Sequence, residues 1–467
     1  MTTTRQARPL GLLEKYQLSK HLLNAYGSVA FSAELEHPIR EYQEDTKQFY
    51  VAWFLPALKK LIEKHSALSL VVRDAYTSNP RLEILNSINL SEVLEISFED
   101  TTIEKLTQEQ CSKDFDLNVL TPLWQLKIVP LSQSRCLAAL ALNHIIGDGN
   151  SLRVFWMELL EALESHDQDK GVNNQIIQTS EHLEAPLTLE SCGLPSLSLL
   201  TDVLPVLAKG YLESVSQTLL GDTEWRGDFP AVDGEAHNTE IKMNKISREK
   251  WTKILAEAKK RQISGHAILQ TLHALTWATL YSDSKWNTTS MHTPINCRPL
   301  CNPPIPQTQM GNFVGSYESQ WSLKYLGRVI AVDDDKLVWS MAKKYYDNLQ
   351  KNKMNSVKLS LLLSYLPEFP TSYCDFWTSK RKYAMKRKGG IEHSDLGRIA
   401  WTGTRWRLVS MYFCQSAHTY NNALGIQSIC LNGELYYTLC WQKNALDKDR
   451  IDAFDRAFDH LVDKIAK

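Results

Sequence analysis

The stretch Leu137-Ala138-Ala139-Leu140-Ala141-Leu142-Asn143-His144-Ile145-Ile146-Gly147-Asp148-Gly149 decides how this chain is read. Its first six residues are an unbroken apolar run, the pattern of a strand buried on both faces. Just past the turn, Leu152, Phe155, Trp156, Leu159, Leu160 and Leu163 recur at helical spacing, with Asn150 or Ser151 as the expected cap. A buried strand passing through a short polar turn into an amphipathic helix is a building unit of an α/β protein. The turn holds His144. An imidazole at a strand end sits on a rigid scaffold and can still face a cavity, and its ordinary pKa of about 6.5 suits proton transfer near neutral pH. Asp148 can orient the loop through an ion pair, and Gly149 permits a sharp reversal that a side chain would obstruct.

Working outward, Phe49, Ala52, Trp53, Leu58, Leu61 and Ile62 mark a helix that Pro56 should kink or shorten, and a short buried strand follows around Leu70. Residues 164–184 lose periodicity and read as a surface loop. From Leu194 to Leu220 the chain is apolar again, broken by Asp202, Lys209 and Glu213; a packed helical pair is expected, with a membrane-surface helix as the alternative. Residues 221–240, with Gly227, Pro230 and Gly234, read as a crossover between an N-terminal half (1–220) and a C-terminal half (241–467). In the second half, helices are expected after a Ser247 cap and across Ala267, and strands around Ile295 and Phe313. Asn432-Gly433 between two apolar runs is a hairpin signal, and Ile451, Phe454, Phe458, Leu461 and Ile465 stripe a last helix. The whole is mixed α/β in two domains.

Composition excludes several classes. Lys plus Arg (52) balance Asp plus Glu (53), so the basic excess of a general nucleic-acid binder is missing. No apolar run is long enough for a transmembrane helix, and the first residues lack a signal-peptide core. Nine scattered cysteines fit reduced thiols in a cytoplasmic protein; Cys297, Cys301 and His292 lie close in sequence, but no fourth ligand completes a zinc set, so no metal is expected.

His144-x-x-x-Asp148-Gly149 resembles the active-site motif of the CoA-dependent acyltransferase superfamily, which includes plant BAHD acyltransferases and peptide-synthetase condensation domains. Within it, the chain is most similar to the alcohol O-acetyltransferase family. Arg8-Pro9-Leu10-Gly11 with Glu14 and Tyr16, Phe115-Asp116-Leu117, Pro122-Leu123-Trp124, Asn296-Cys297-Arg298-Pro299 and Gly311-Asn312-Phe313 resemble that family's segments, in the expected order. Ser394-Asp395-Leu396-Gly397 resembles its Ser-Asn-Leu-Gly element. Many relatives carry a second His where this chain has Asn143, and the Asp-Phe-Gly-Trp-Gly element of the plant branch is missing.

The resemblance implies two similar acyltransferase-like domains, each a mixed sheet with flanking helices, and an active-site channel at their interface. It implies O-acyl transfer from acetyl-CoA, a co-substrate rather than a bound cofactor, to a hydroxyl of an alcohol or specialised metabolite. His144 would be the general base of a direct transfer. Asp148 would turn away to pair with Arg298. Candidate oxyanion or channel residues are Ser416 first, then Gln415, Asn421, Asn422 and Asn143. Rival readings are N-acylation or condensation from a carrier-protein thioester, and a scaffold repurposed for binding or cyclisation. A monomer is expected, free in the cytoplasm or weakly associated with a lipid surface. Lys380-Arg381-Lys382 and Lys386-Arg387-Lys388 read as a solvated loop, with CoA-phosphate docking or anionic lipid as sharper alternatives. His266 and His273 are expected to be structural, while His393 and His418 are candidates for the channel lining.

Overall fold

The computed structural model describes residues 3–41, 45–165, 175–208 and 222–467. A five-stranded sheet runs in the order Arg407–Gln415, Val29–Glu36, Arg135–Leu142, Trp124–Pro130, Leu94–Ile96, antiparallel except at the last pair. The apolar run lies near its middle. Ala138, Leu140 and Leu142 face one core with helices Thr46–Lys64 and Gly149–Glu164, while Leu137 and Ala139 meet Leu106 of helix Ile103–Cys111. Both faces are therefore covered, which is why the strand carries no polar alternation.

The second sheet has the order Glu224–Trp225, Thr288–Asn296, Gly389–Ile399, Asn422–Leu431, Glu434–Gln442, Thr239–Ile246, with Val314–Ser322 also paired to Thr288–Asn296. Its three central strands are parallel to one another, and helices Gly265–Leu280, Asp335–Lys358 and Lys448–Ile465 build the core against it. Asn432 and Gly433 both take positive φ (50° and 92°), the geometry of a tight hairpin that matches strand twist.

Chain order does not divide the two sheets cleanly. Arg407–Gln415 comes from late in the chain yet pairs with Val29–Glu36, because Met411 and Phe413 bury themselves in the first core beside Phe31. Glu224–Trp225, inside the expected crossover, is already part of the second sheet, and Trp225 packs on Trp277 and Tyr281.

Three local expectations change. Helix Thr46–Lys64 continues through Pro56, since Phe54, Leu55, Ala57 and Leu58 around it are buried in the core and their packing outweighs the lost backbone bond. The cap of helix Gly149–Glu164 is Asp148, which accepts from Ser151 N at 2.9 Å. At the start of the apolar stretch, Leu199, Leu200, Leu204 and Leu207 are exposed rather than packed, because Asp202 turns inward to pair with Lys358 at 2.6 Å; residues 209–220 of that stretch lie outside the described ones. Among the described residues no helix is long and apolar enough to cross a membrane.

Candidate active site

The strand Arg135–Leu142 ends one residue before the turn that carries His144. Asn143 is spent holding that turn: its N–H donates to Leu123 O (2.9 Å) and its Oδ1 accepts from Ile145 N (3.0 Å). Only 3% exposed, it is part of the scaffold rather than the cavity wall proposed for it above. The His144 ring lies on that wall. Its Nδ1 is buried without a hydrogen-bond partner, so Nε2 is the nitrogen left on the cavity side. Burial lowers the pKa of His144 to about 4, and the Lys20 charge pushes the same way, so the imidazole is neutral at pH 7.

Asp148 points away from the imidazole. Its carboxylate accepts two parallel bonds from Arg298, Nη1 to Oδ2 at 2.8 Å and Nη2 to Oδ1 at 3.1 Å. Phe313 N donates to Oδ2 (3.0 Å). Burial alone would raise the pKa of Asp148, but the Arg298 charge and these donors hold it below the usual carboxylate range. Arg298 is fully buried; its Nε donates to Gln309 O (2.9 Å) and its guanidinium lies 4.8 Å from the Phe313 ring. A planar fork saturated in this way is a brace, which a lysine could not reproduce. Gly149 is not at positive φ, so no reversal explains it. A Cβ there would stand 2.7 Å from Leu396 Cδ2, so the glycine is needed for close approach of the late Ser394–Gly397 segment.

His144, Asp148 and Gly149 open onto one cavity of about 1140 Å³ lined by residues of both halves. On helix Leu12–Leu22, Leu13, Tyr16, Gln17 and Lys20 line it at helical spacing. That spacing is the sequence signal that could have added Lys20 to the candidates. The N-terminal motif seats this helix: Arg8 forms a two-pronged pair with Glu14 (2.7 Å each), and Glu14 also accepts from Gly11 N (2.7 Å). Lys20 Nζ stands 4.0 Å over the Tyr26 ring, and burial lowers its pKa to about 7 despite the opposing pull of Glu392. Tyr26 lies between the rings of His144 (6.2 Å) and His418 (5.8 Å), and its hydroxyl donates to Gln415 Oε1 (3.2 Å).

The remaining candidates divide. Gln415, Ser416, Asn421 and Asn422 all line the cavity. The hydroxyl of Ser416 is already committed, accepting from Gly27 N (2.9 Å) and donating to Ala417 O (3.1 Å), which argues against its being the oxyanion donor. Gln415 Nε2 donates to Glu392 (3.1 Å), a cavity residue that no motif marks. His418 lines the cavity, whereas His393 is wholly buried between Gln270 and Ser428 and stacks on His266. In the basic segment, Arg381 and Arg387 turn inward onto backbone carbonyls, while Lys380, Lys382 and Lys388 line the cavity. Among the described residues no group of His, Cys, Asp and Glu is arranged to hold a metal ion.

Solved structures with this architecture include trichothecene 15-O-acetyltransferase from Fusarium sporotrichioides, 13% identical, TM-score 0.71, covering 100% of this chain and 95% of that one. The epimerization domain from the third module of tyrocidine synthetase B is also 13% identical, with a TM-score of 0.60 over 100% of this chain and 96% of that one. The condensation domain of the monacolin K polyketide synthase is 9% identical, TM-score 0.57, over 99% and 97%. At such identities the likeness concerns the fold: two similar mixed α/β domains. No curated protein matches the sequence. The family model for alcohol acetyltransferases matches residues 9–435, nearly the whole chain, and the protein is therefore an acyltransferase that belongs to the alcohol acetyltransferase family.

Proposed function

We propose that the cavity transfers an acyl group, acetyl in the first instance, directly from acyl-CoA to a hydroxyl of a small-molecule acceptor. His144 Nε2 takes the hydroxyl proton as the oxygen attacks the thioester carbonyl. The new C–O bond forms, the C–S bond breaks, and the proton passes from the imidazole to the departing CoA thiolate. No acyl-enzyme is required. The observation that carries this reading is the His144 imidazole on the cavity wall with Nδ1 buried and the motif aspartate locked elsewhere by Arg298. A ring kept neutral can accept a proton at once. Its weak basicity is offset as negative charge develops on the oxyanion beside it, and Lys20 gives the same wall positive charge. Lys380, Lys382 and Lys388 supply cations suited to the CoA phosphates.

The test is release of free thiol from acetyl-CoA with and without a panel of alcohols, with the ester identified by mass spectrometry. Release that depends on the alcohol is expected, and His144→Ala should lower it about 10²- to 10⁴-fold with the melting temperature unchanged. Transfer only from a carrier-protein thioester, or full activity in the alanine variant, would overturn the reading.

A further inference from the structure

The wall of the cavity around Glu392 has more acceptors than donors. Glu392, on strand Gly389–Ile399, is half-buried and receives Gln415 Nε2 on Oε1 (3.1 Å) and Asn422 Nδ2 on Oε2 (2.8 Å). These contacts fix both amide orientations. Gln415 Oε1 then takes the Tyr26 hydroxyl, and Asn422 Oδ1 is left without a donor. Gln427, 1% exposed and on the same wall, brings another amide oxygen without a donor. Among the described residues Lys20 and Glu392 form no ion pair; Lys20 sits over the Tyr26 ring instead. Burial raises the pKa of Glu392, against the Lys20 charge and the two amide donors, which pull it down. Each carboxylate oxygen can accept more than the one bond it receives, so this partly desolvated group gains from a further donor.

A simple alkanol cannot meet that need. Its one hydroxyl must sit at His144 Nε2 to lose its proton, and the rest of it is hydrocarbon.

We infer that Glu392, seated between Gln415 and Asn422, accepts a hydrogen bond from a second O–H or N–H group on the acceptor, so that the acceptor is a polyol or amino alcohol rather than a simple alkanol. The inference rests on acyl transfer at His144. The hydroxyl that reacts faces the imidazole, and the second donor anchors the molecule on the sheet wall and sets which hydroxyl is presented.

The experiment measures kcat/KM with acetyl-CoA for an alkanol and for the diols and amino alcohols of the same carbon skeleton, in the wild type and in Glu392→Gln. Glu392→Met, which removes both carboxyl oxygens, is measured alongside. The wild type should prefer acceptors with the second donor, and both variants should shrink that preference by about 10- to 100-fold. Diols and amino alcohols as separate arms tell a hydroxyl anchor from an ammonium anchor. Equal loss for every acceptor would mean that Glu392 only balances the charge of Lys20, and would overturn the inference, as would a wild type without preference. Absence of thiol release with any acceptor would overturn the underlying transfer reading as well, so the two failures are distinguishable.

Discussion

The side-chain amide of Asn312 crosses 168 residues of sequence to donate to the backbone carbonyl of His144 at 2.9 Å. Its neighbours serve the other end of the same turn: Phe313 N donates to Asp148, and Gly311 N donates to Ser151 Oγ (3.0 Å). One tripeptide of the second half thus holds both ends of the turn that presents the imidazole.

Asn312 is 5% exposed, and among the described residues its side-chain hydrogen bond goes to the peptide of His144, so its loss acts through position. Asn312→Ala should lower kcat about tenfold while costing about 1 kcal/mol of stability, the worth of one buried hydrogen bond. Asn312→Asp, which sets a carboxylate against a carbonyl oxygen, should be worse on both counts. Urea denaturation and steady-state kinetics check this; an unchanged kcat in the alanine variant would remove Asn312 from the positioning set.

Asp148 and Arg298 should fail together. Removing one member leaves the other as an uncompensated buried charge, an expected cost of about 3–5 kcal/mol. Asp148→Asn should therefore lose activity and melt earlier, and Arg298→Lys should keep only part of the wild-type stability because it cannot fork. If Asp148→Asn were inactive with unchanged melting, the aspartate would be acting on the chemistry and not on the fold.

The pH dependence has a defined sign. The pKa of His144 lies near 4, below its ordinary 6.5, chiefly through burial and secondly through Lys20. Protons therefore favour the unfolded chain. The stability linked to this group is full above 6.5, falls as the pH drops, and levels off near 4. The acid limb of kcat/KM should lie near pH 4. Lys20, with its own pKa near 7, is charged throughout that limb. Lys20→Met should move the limb upward yet short of 6.5, since burial remains. A limb that stays put would show that the two groups do not communicate.

How much of this was legible can be judged residue by residue. The continuous run Leu137–Leu142 and the helical stripe after it revealed the strand, turn and helix, because burial on both faces leaves no polar alternation. The Asp148–Arg298 pairing came from resemblance, as spacing cannot bring two residues 150 apart together. The exchange of Arg407–Gln415 into the first sheet was invisible, since strand partners are set by which core Met411 and Phe413 fill. Glu392 was hidden for a similar reason: an acid in a strand that also carries His393, Ser394 and Asp395 stands out only once Gln415 and Asn422 converge on it.

Gly149 offers a test of close packing. An added Cβ would meet Leu396 Cδ2 at 2.7 Å, and the leucine must shift to admit it. Alanine gains about 0.5–1 kcal/mol of helix preference over glycine, whereas overpacking costs about 1–3 kcal/mol. The net expectation for Gly149→Ala is a loss of up to about 2.5 kcal/mol. Leu396 sits in the segment that the motif glycine admits to the cavity wall, so the strain should also reach the acceptor through a raised KM. Trimming the clash with Leu396→Ala should then make the Gly149→Ala substitution neutral or favourable in that background. A double-mutant cycle on unfolding free energy reads this coupling directly, and an interaction energy near zero would show that Gly149 serves the turn by some route other than room for Leu396.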